Sequence, residues 1–106
     1  MGMKLVTMHC RDGAPALDDG TRKMLAVEVP SWKVVDTHHL EKQYTFKDFA
    51  EALAFVNKVG ALAEEENHHP DITLGWGKVG ITTWTHSAGG LSENDFVLAA
   101  KIDALK

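Results

Sequence analysis

The chain has 106 residues, of which 44% are hydrophobic and 25% are charged, so its size and composition fit one small soluble domain. Its formal net charge is −4 and it has no basic run, which argues against direct binding to nucleic acid. With one cysteine it can form no intrachain disulfide, and no segment is typical of a signal peptide or a membrane span. We therefore expect a cytoplasmic protein that does not bind membranes, while a nuclear role is neither indicated nor excluded.

Residues 1–20 are poorly patterned and contain turn-forming residues at 12–15 and 18–20. We expect them to form an N-terminal extension of one domain that spans residues 1–106. A short helix from about Thr21 to Val29 should follow, and Pro30 should end it.

Two strands are expected next, from Trp32 to Thr37 and from Leu40 to Phe46. The link between them is short, so the strands should form an antiparallel pair. His38 and His39 lie in this link, and we interpret them as part of a surface loop.

A long helix is predicted from about Lys47 to Glu66. Thr45 and Asp48 resemble a capping box at its start. Gly60 interrupts the helix at a cost of about 1 kcal/mol relative to Ala, which suggests close packing against the sheet at this position. The apolar residues at helical spacing predict the buried face: Phe49, Leu53, Val56 and Ala63.

A second hairpin is predicted from the alternating strand Ile72–Trp76 and a return strand Val79–His86. Gly77 would be the first central residue of the tight turn between them. Trp76 shares a face with Ile72 and Leu74, so core packing is its expected role.

The last helix should begin after Ser92, a natural N-cap, and continue through Ile102. Asp95 would then be the third residue of the helix, where an acidic side chain completes a capping box. The predicted fold is therefore α+β, with a four-stranded antiparallel sheet covered by helices in the order α-β-β-α-β-β-α.

Three of the six histidines fall in one window as His68, His69 and His86, and Pro70 follows the pair. Pro70 biases the residue before it toward an extended conformation, so the pair should lie in a stiff junction. Histidines titrate near physiological pH, so this window suggests proton transfer if the fold returns His86 to the pair. The alternatives are a polar loop for the pair and an ordinary half-exposed strand residue for His86.

Several neighbours of the histidines are candidates for supporting roles. Glu64 lies four residues before His68, so its carboxylate could orient an imidazole and fix its tautomer. Asn67 tolerates the left-handed conformation that ends helices. Trp84 shares a predicted face with His86 and could line a pocket for a flat ring. Asp95 is adequately explained as a first-turn helix acid.

A zinc site with three imidazole ligands is a further alternative. Adjacent histidine side chains diverge, and the sequence has no pair of histidines at helical i, i+4 spacing. The pattern therefore favours a site without metal.

The window from Glu64 to Asp95, which contains the three histidines, resembles the signature of the pterin-4a-carbinolamine dehydratases. Segments 46–49, 55–59, 85–91 and 99–103 also look like family sequence, and the resemblance covers roughly Pro30 to Asp103. The residues that carry it are Glu64, His68, His69, Pro70, Trp76, His86 and Asp95.

The resemblance implies a fold of four antiparallel strands with three helices. It also implies dehydration of 4a-hydroxytetrahydropterin to quinonoid dihydropterin, which recycles the pterin oxidised by aromatic amino acid hydroxylases, without metal or organic cofactor. Family members form homodimers or homotetramers. Some animal members stabilise dimers of a transcription factor, so the alternative function is a non-catalytic pterin-fold protein with such a protein partner.

The resemblance and the chemistry together predict the site. His68 and His86 would be the direct acid and base, and His69 would position the hydroxyl or assist proton transfer. Which of the two is the acid does not follow from the sequence. The expected substrate-binding residues are Glu64, Asn67, Pro70, Trp84 and Thr85, and no metal ligand is expected.

Overall fold

A computed structural model describes residues 4–106, so the first three residues of the predicted extension lie outside it. The order of helices and strands confirms the predicted fold class. Two single-turn 3₁₀ helices, Leu5–Thr7 and His86–Ala88, accompany the regular elements. In chain order the regular elements are α1 (Asp19–Glu28), β1 (Lys33–Val35), β2 (His39–Thr45), α2 (Phe49–Glu66), β3 (Asp71–Gly75), β4 (Lys78–Thr83) and α3 (Glu93–Leu105).

The four strands form one antiparallel sheet in the order β1-β2-β4-β3. Thr83 at the end of β4 pairs with Leu40 at the start of β2, and Thr82 pairs with Asp71 at the start of β3. The chain segments before β2, before β3 and after β4 therefore emerge at the same end of the sheet. This register is what collects residues from three distant parts of the sequence.

The helices cover one face of the sheet, and α3 lies at the centre of the core. Phe96, Val97, Leu98 and Ile102 of this helix have no exposed surface. No helix among residues 4–106 is both long and apolar enough to cross a bilayer.

The buried face of α2 differs from the predicted one. Phe49 and Leu53 are 43% and 41% exposed, so the prediction was wrong for these two residues. Ala63 is buried and Val56 packs partly buried against the core, as expected. On the face that α2 buries, the ring of Phe55 packs against Tyr44, with 4.7 Å between ring centroids. The residues that α2 buries are Ala52, Phe55, Val59, Ala63 and Glu66.

The start of α2 is also shifted from the prediction. Asp48 is the N-cap and accepts a hydrogen bond from the backbone N–H of Glu51 at 2.9 Å. Thr45 cannot cap the helix because it is paired with Lys78 in the sheet. The predicted capping box therefore lies three residues too early.

The second hairpin turns one residue earlier than predicted. Gly75 pairs with Lys78, so the loop is Trp76-Gly77 and glycine is its second residue. Gly77 has φ +69°, and a Cβ atom there would lie 2.8 Å from the carbonyl oxygen of Phe46. Trp76 is 72% exposed in this turn, so its predicted place in the core was wrong. The expectation for Gly60 was also wrong, because a Cβ atom there meets nothing within 4 Å.

Candidate active site

The predicted histidines meet at the end of the sheet where three connections emerge. His68 and His69 follow the end of α2, and His86 follows β4. Strand β4 ends at Thr83, so the predicted continuation of this strand to His86 was wrong. His86 lies instead in a 3₁₀ turn, which bends the chain back toward the junction between α2 and β3.

These connections enclose a cleft of about 370 Å³. Six of the residues singled out from the sequence line it: Asn67, His68, His69, Trp84, Thr85 and His86. Glu64 and Pro70 are not among the lining residues. The cleft also has lining residues that the sequence did not predict: Arg11, Asp12, Gly13, Ser87 and Asn94.

A larger depression of about 440 Å³ lies on the sheet, lined by residues such as Lys33, Glu41 and Asp71. Histidines do not line it. We take the smaller cleft as the candidate site because it gathers the groups that can transfer protons.

Asp95 is the residue that holds His68 in place. Nε2 of His68 lies 2.7 Å from Oδ1 of Asp95, a carboxylate with no exposed surface. Sequence reasoning assigned Asp95 to its helix cap and missed this contact. The signal that could have found it was its fixed spacing in the family-like motif.

The other hydrogen bonds of Asp95 show whether Asp95 or His68 is the donor in the contact between them. Oδ1 also accepts from the Thr83 hydroxyl at 2.7 Å. Oδ2 accepts from the Thr85 hydroxyl at 2.8 Å and from the backbone N–H of Ser92 at 2.9 Å. Two acceptor bonds at each oxygen are what an ionised carboxylate provides. His68 is therefore the donor in this contact, through Nε2–H.

The Ser92 contact shows that the capping prediction for α3 was right. Ser92 and Asp95 form a capping box at the start of this helix. The same carboxylate thus fixes both the helix end and an imidazole.

Glu64 contacts His69 rather than His68. Oε2 of Glu64 lies 2.5 Å from Nε2 of His69, and both side chains are largely exposed. The expected pairing with His68 was wrong because α2 ends at Glu66 and the chain turns at Asn67. Asn67 has φ 52° and ψ 41°, which confirms the left-handed end predicted for this helix.

His86 is held by an aromatic stack. Its ring lies parallel to Trp84, with 3.9 Å between centroids and 22° between planes. The ring of His38 lies 4.4 Å from Trp84. His38 lies in the turn between β1 and β2, as predicted, but it is half-buried rather than a plain surface residue. His39, expected in the same loop, is the first residue of β2. The position of His38 follows from the sheet register, which places the start of β2 beside the end of β4.

Thr85 lines the cleft, but its hydroxyl is already occupied. It hydrogen bonds to Asp95 and lies 2.6 Å from the Ser92 hydroxyl. Thr85 can thus support the carboxylate from within the cleft wall. Pro70 immediately precedes β3 and stiffens the junction that carries the two histidines.

Among residues 4–106, His, Cys, Asp and Glu side chains do not gather in threes in a way that suits a metal ion. The arrangement instead provides imidazoles, each oriented by a defined neighbour, around an open space. Such groups can donate and accept protons on a bound ligand.

A sequence profile of the family described as pterin 4 alpha carbinolamine dehydratase matches residues 15–105 of this chain. The chain belongs to this family. The match covers the whole sheet, α2, α3 and all three cleft histidines, and it begins after the segment that contains Arg11.

Curated relatives agree with the family assignment. A protein of Rubrobacter xylanophilus is 54% identical over 91% of this chain and 90% of its own length. One of Alkaliphilus metalliredigens is 50% identical over 89% of this chain and 86% of its own length. Both carry the provisional name pterin-4-alpha-carbinolamine dehydratase.

Two solved structures share the fold. A transcriptional coactivator/pterin dehydratase from Brucella melitensis is 29% identical with a TM-score of 0.79, covering 84% of this chain and 96% of that one. A pterin dehydratase-like protein is 34% identical with a TM-score of 0.61, covering 71% of this chain and 88% of that one. The latter is described as a RuBisCO assembly factor in the alpha-carboxysome.

Proposed function

We propose that this chain catalyses the dehydration of 4a-hydroxytetrahydropterin to quinonoid dihydropterin through its histidines, without metal or organic cofactor. The observation that carries the proposal is the 2.7 Å hydrogen bond between His68 and the buried carboxylate of Asp95. A histidine fixed by a buried carboxylate in a cleft is a suitable general base. Membership of the dehydratase family supplies the substrate class.

His68 serves as the base in this mechanism. Asp95 holds its Nε2–H, so the lone pair of Nδ1 accepts the proton from N5 of the pterin. His86, as an imidazolium, donates a proton to the hydroxyl on C4a. The C4a–O bond breaks and the C4a–N5 double bond forms as water leaves. Exchange with solvent then returns both histidines to their starting protonation states.

The remaining cleft residues orient the reacting groups. The Trp84 stack holds the His86 ring in one orientation. Glu64 orients His69, which positions the departing hydroxyl. Asn67 and Trp84 contact the pterin directly, whereas Pro70 and Thr85 act by fixing the junction and the Asp95 carboxylate.

The test is stopped-flow absorbance with synthetic 4a-hydroxytetrahydropterin in the presence of EDTA. His68→Ala or His86→Ala should lower kcat by about 10²–10⁴-fold, the usual contribution of a general acid or base. His39→Ala is the matched control, because His39 pairs with Glu41 and does not line the cleft. It should change kcat by less than about twofold.

Two results would contradict the proposal. Unchanged turnover in both cleft variants would remove the histidines from the chemistry. A wild-type rate equal to the spontaneous reaction would favour the second candidate function, a protein that stabilises the oligomer of a partner.

That second candidate is favoured by the exposed apolar side chains of α2, Phe49 and Leu53. It is also consistent with the descriptions of the two solved structures as a coactivator/dehydratase and an assembly factor. We further propose that this face joins copies of the chain into a homodimer or homotetramer. The molar mass from light scattering should be lower for Leu53→Lys than for the wild type if the proposal is right. A wild-type monomer would instead leave the face free for a different partner.

We assign the whole activity to the single domain and place it in the cytoplasm. Fractionation of cells that express the tagged full-length chain would test the location.

A further inference from the structure

Two buried side chains hold the segment His9–Gly13, which we call the N-terminal arm. The backbone N–H of Cys10 donates to Oε1 of Glu66 at 2.8 Å. The side chain of Asn94 holds both backbone groups of Arg11: Oδ1 accepts from its N–H at 3.0 Å, and Nδ2 donates to its carbonyl oxygen at 2.7 Å. Consecutive arm residues are therefore fixed to α2 and α3.

Glu66 has no part in the proposed chemistry, yet its carboxylate is almost fully buried. Nδ1 of His9 lies 2.9 Å from its Oε2, and Nζ of Lys101 lies 3.6 Å from the same atom. Burying a charge is costly unless it is paired and hydrogen bonded. Two of the three partners of Glu66 belong to the N-terminal arm. The contacts of Glu66 therefore indicate that it holds the arm in place.

The two anchors stand beside residues of the active site in the chain. Glu66 immediately precedes Asn67, and Asn94 immediately precedes Asp95. The arm is thereby fixed to the same two helix ends that position His68. As a result, Arg11, Asp12 and Gly13 form part of the cleft wall.

The side chain of Arg11 remains available at the cleft. It is 58% exposed, and Nε lies 4.0 Å from Oε1 of Glu93, which is too long for a hydrogen bond. An exposed pair at this distance contributes little to stability. The backbone of Arg11 is thus fixed on both sides while its guanidinium can still donate to a ligand.

We infer that the N-terminal arm is a substrate-binding element and that Arg11 donates a hydrogen bond to an oxygen or nitrogen acceptor on the ring of the bound pterin. This inference rests on the proposed function, because that function supplies the pterin. Guanidinium is permanently charged and presents several N–H donors, which suits an oxygen acceptor on a flat heterocycle. The family profile begins at residue 15, so this contact lies outside the matched region.

The first experiment separates binding from chemistry. Arg11→Ala should raise KM by about tenfold and leave kcat within about threefold, since a charged hydrogen bond is lost but the acid and base remain. Arg11→Lys keeps the charge and should give an intermediate KM. Arg22→Ala is the control, because Arg22 pairs with Asp19 on α1 away from the cleft. An unchanged KM in Arg11→Ala would overturn the inference.

The second experiment does not depend on turnover. Calorimetry with 7,8-dihydropterin should show about tenfold weaker binding to Arg11→Ala than to the wild type. The ligand should also slow alkylation of Cys10 in the wild type more than in the variant, because Cys10 lies next to Arg11 in the arm. A merely structural role for Arg11 would not change this ligand-dependent protection.

The two proposals can fail separately. If the wild type turns over substrate but Arg11→Ala has the same KM and affinity, the dehydratase proposal stands and the arm inference is wrong. If the wild type binds 7,8-dihydropterin without turnover, weaker binding by Arg11→Ala still supports the inference and equal binding overturns it. A wild type that neither turns over the substrate nor binds 7,8-dihydropterin would overturn both.

Discussion

Nε2 of His68 lies 2.7 Å from Oδ1 of Asp95, although the two residues are 27 positions apart in the chain. Asp95 also completes the capping box at the start of α3. One buried carboxylate therefore joins the stability of a core helix to the orientation of a candidate catalytic imidazole. Replacing it should affect both properties.

Asp95→Asn should lower kcat by about 10²-fold, because the amide no longer fixes the His68 tautomer. It should also reduce the free energy of unfolding by about 1–3 kcal/mol, since buried donors lose a charged acceptor. Stopped-flow kinetics and guanidinium unfolding would measure the two effects. Thr83→Val is the matched control, because it removes another donor to the same carboxylate without touching His68. Thr83→Val should lower the free energy of unfolding but keep kcat within about threefold. If it lowered kcat as much as Asp95→Asn does, a specific role for the His68 contact would be refuted.

Glu66→Gln should change how stability depends on pH. Burial alone would raise the pKa of Glu66, but the Cys10 N–H, His9 and Lys101 together hold it below its ordinary value of 4.5. A group whose pKa is lowered by folding stabilises the fold above its unfolded pKa, and this contribution is lost as the pH falls through the folded pKa.

The difference in unfolding free energy between wild type and Glu66→Gln should therefore be largest near neutral pH and shrink as the pH falls below 4.5. Chemical denaturation across this range would measure it. Glu65→Gln is the control, because its side chain is exposed and it should follow the wild-type curve. A difference that is constant with pH would contradict the prediction.

Gly60→Ala should stabilise the protein by about 0.5–1 kcal/mol. A methyl group at this helical position meets nothing within 4 Å, and alanine loses less backbone entropy on folding than glycine does. Thermal or guanidinium unfolding at fixed protein concentration would measure the gain.

Gly77→Ala provides the opposite case. Its φ of +69° disfavours a side chain, and the added Cβ would lie 2.8 Å from a carbonyl oxygen. This variant should be destabilised by at least about 1 kcal/mol. If Gly60→Ala were also less stable, the added methyl group would have to meet another molecule. This face of α2 would then be covered in the assembled protein.

Cys10 should react slowly with alkylating reagents. Burial, together with the negative charges of Glu66 and Asp95, raises the pKa of its thiol from 9.0 to about 12. That difference of about three units means roughly 10³-fold less thiolate at pH 8, and the thiolate is the reactive form. Iodoacetamide labelling of the native protein should be far slower than labelling in guanidinium chloride. Equal rates in the two conditions would show that the arm is not docked.

Local sequence patterns were sufficient for the helices, the strands and their order. Hydrophobic periodicity marked α2 and the hairpins, and Ser92 with Asp95 marked the cap of α3. The boundaries of the helices and strands were predicted less well, because the sequence allows Thr45 either to cap α2 or to pair within the sheet. Pairing with Lys78 in the sheet excluded it from capping α2, and Asp48 took that position.

The candidate site depends partly on contacts that neighbouring residues in the sequence do not determine. The chain by itself gave the three histidines, the stiff Pro70 junction and the left-handed Asn67, since these depend on neighbouring residues. It could not give the partner of His68, because Glu64 and Asp95 were both plausible carboxylates and only the packing of α3 against α2 selects between them. The cleft wall formed by Arg11 depends on hydrogen bonds to Asn94, 83 residues away. Such contacts are set by the sheet register and by helix packing, and no short-range pattern in the sequence encodes them.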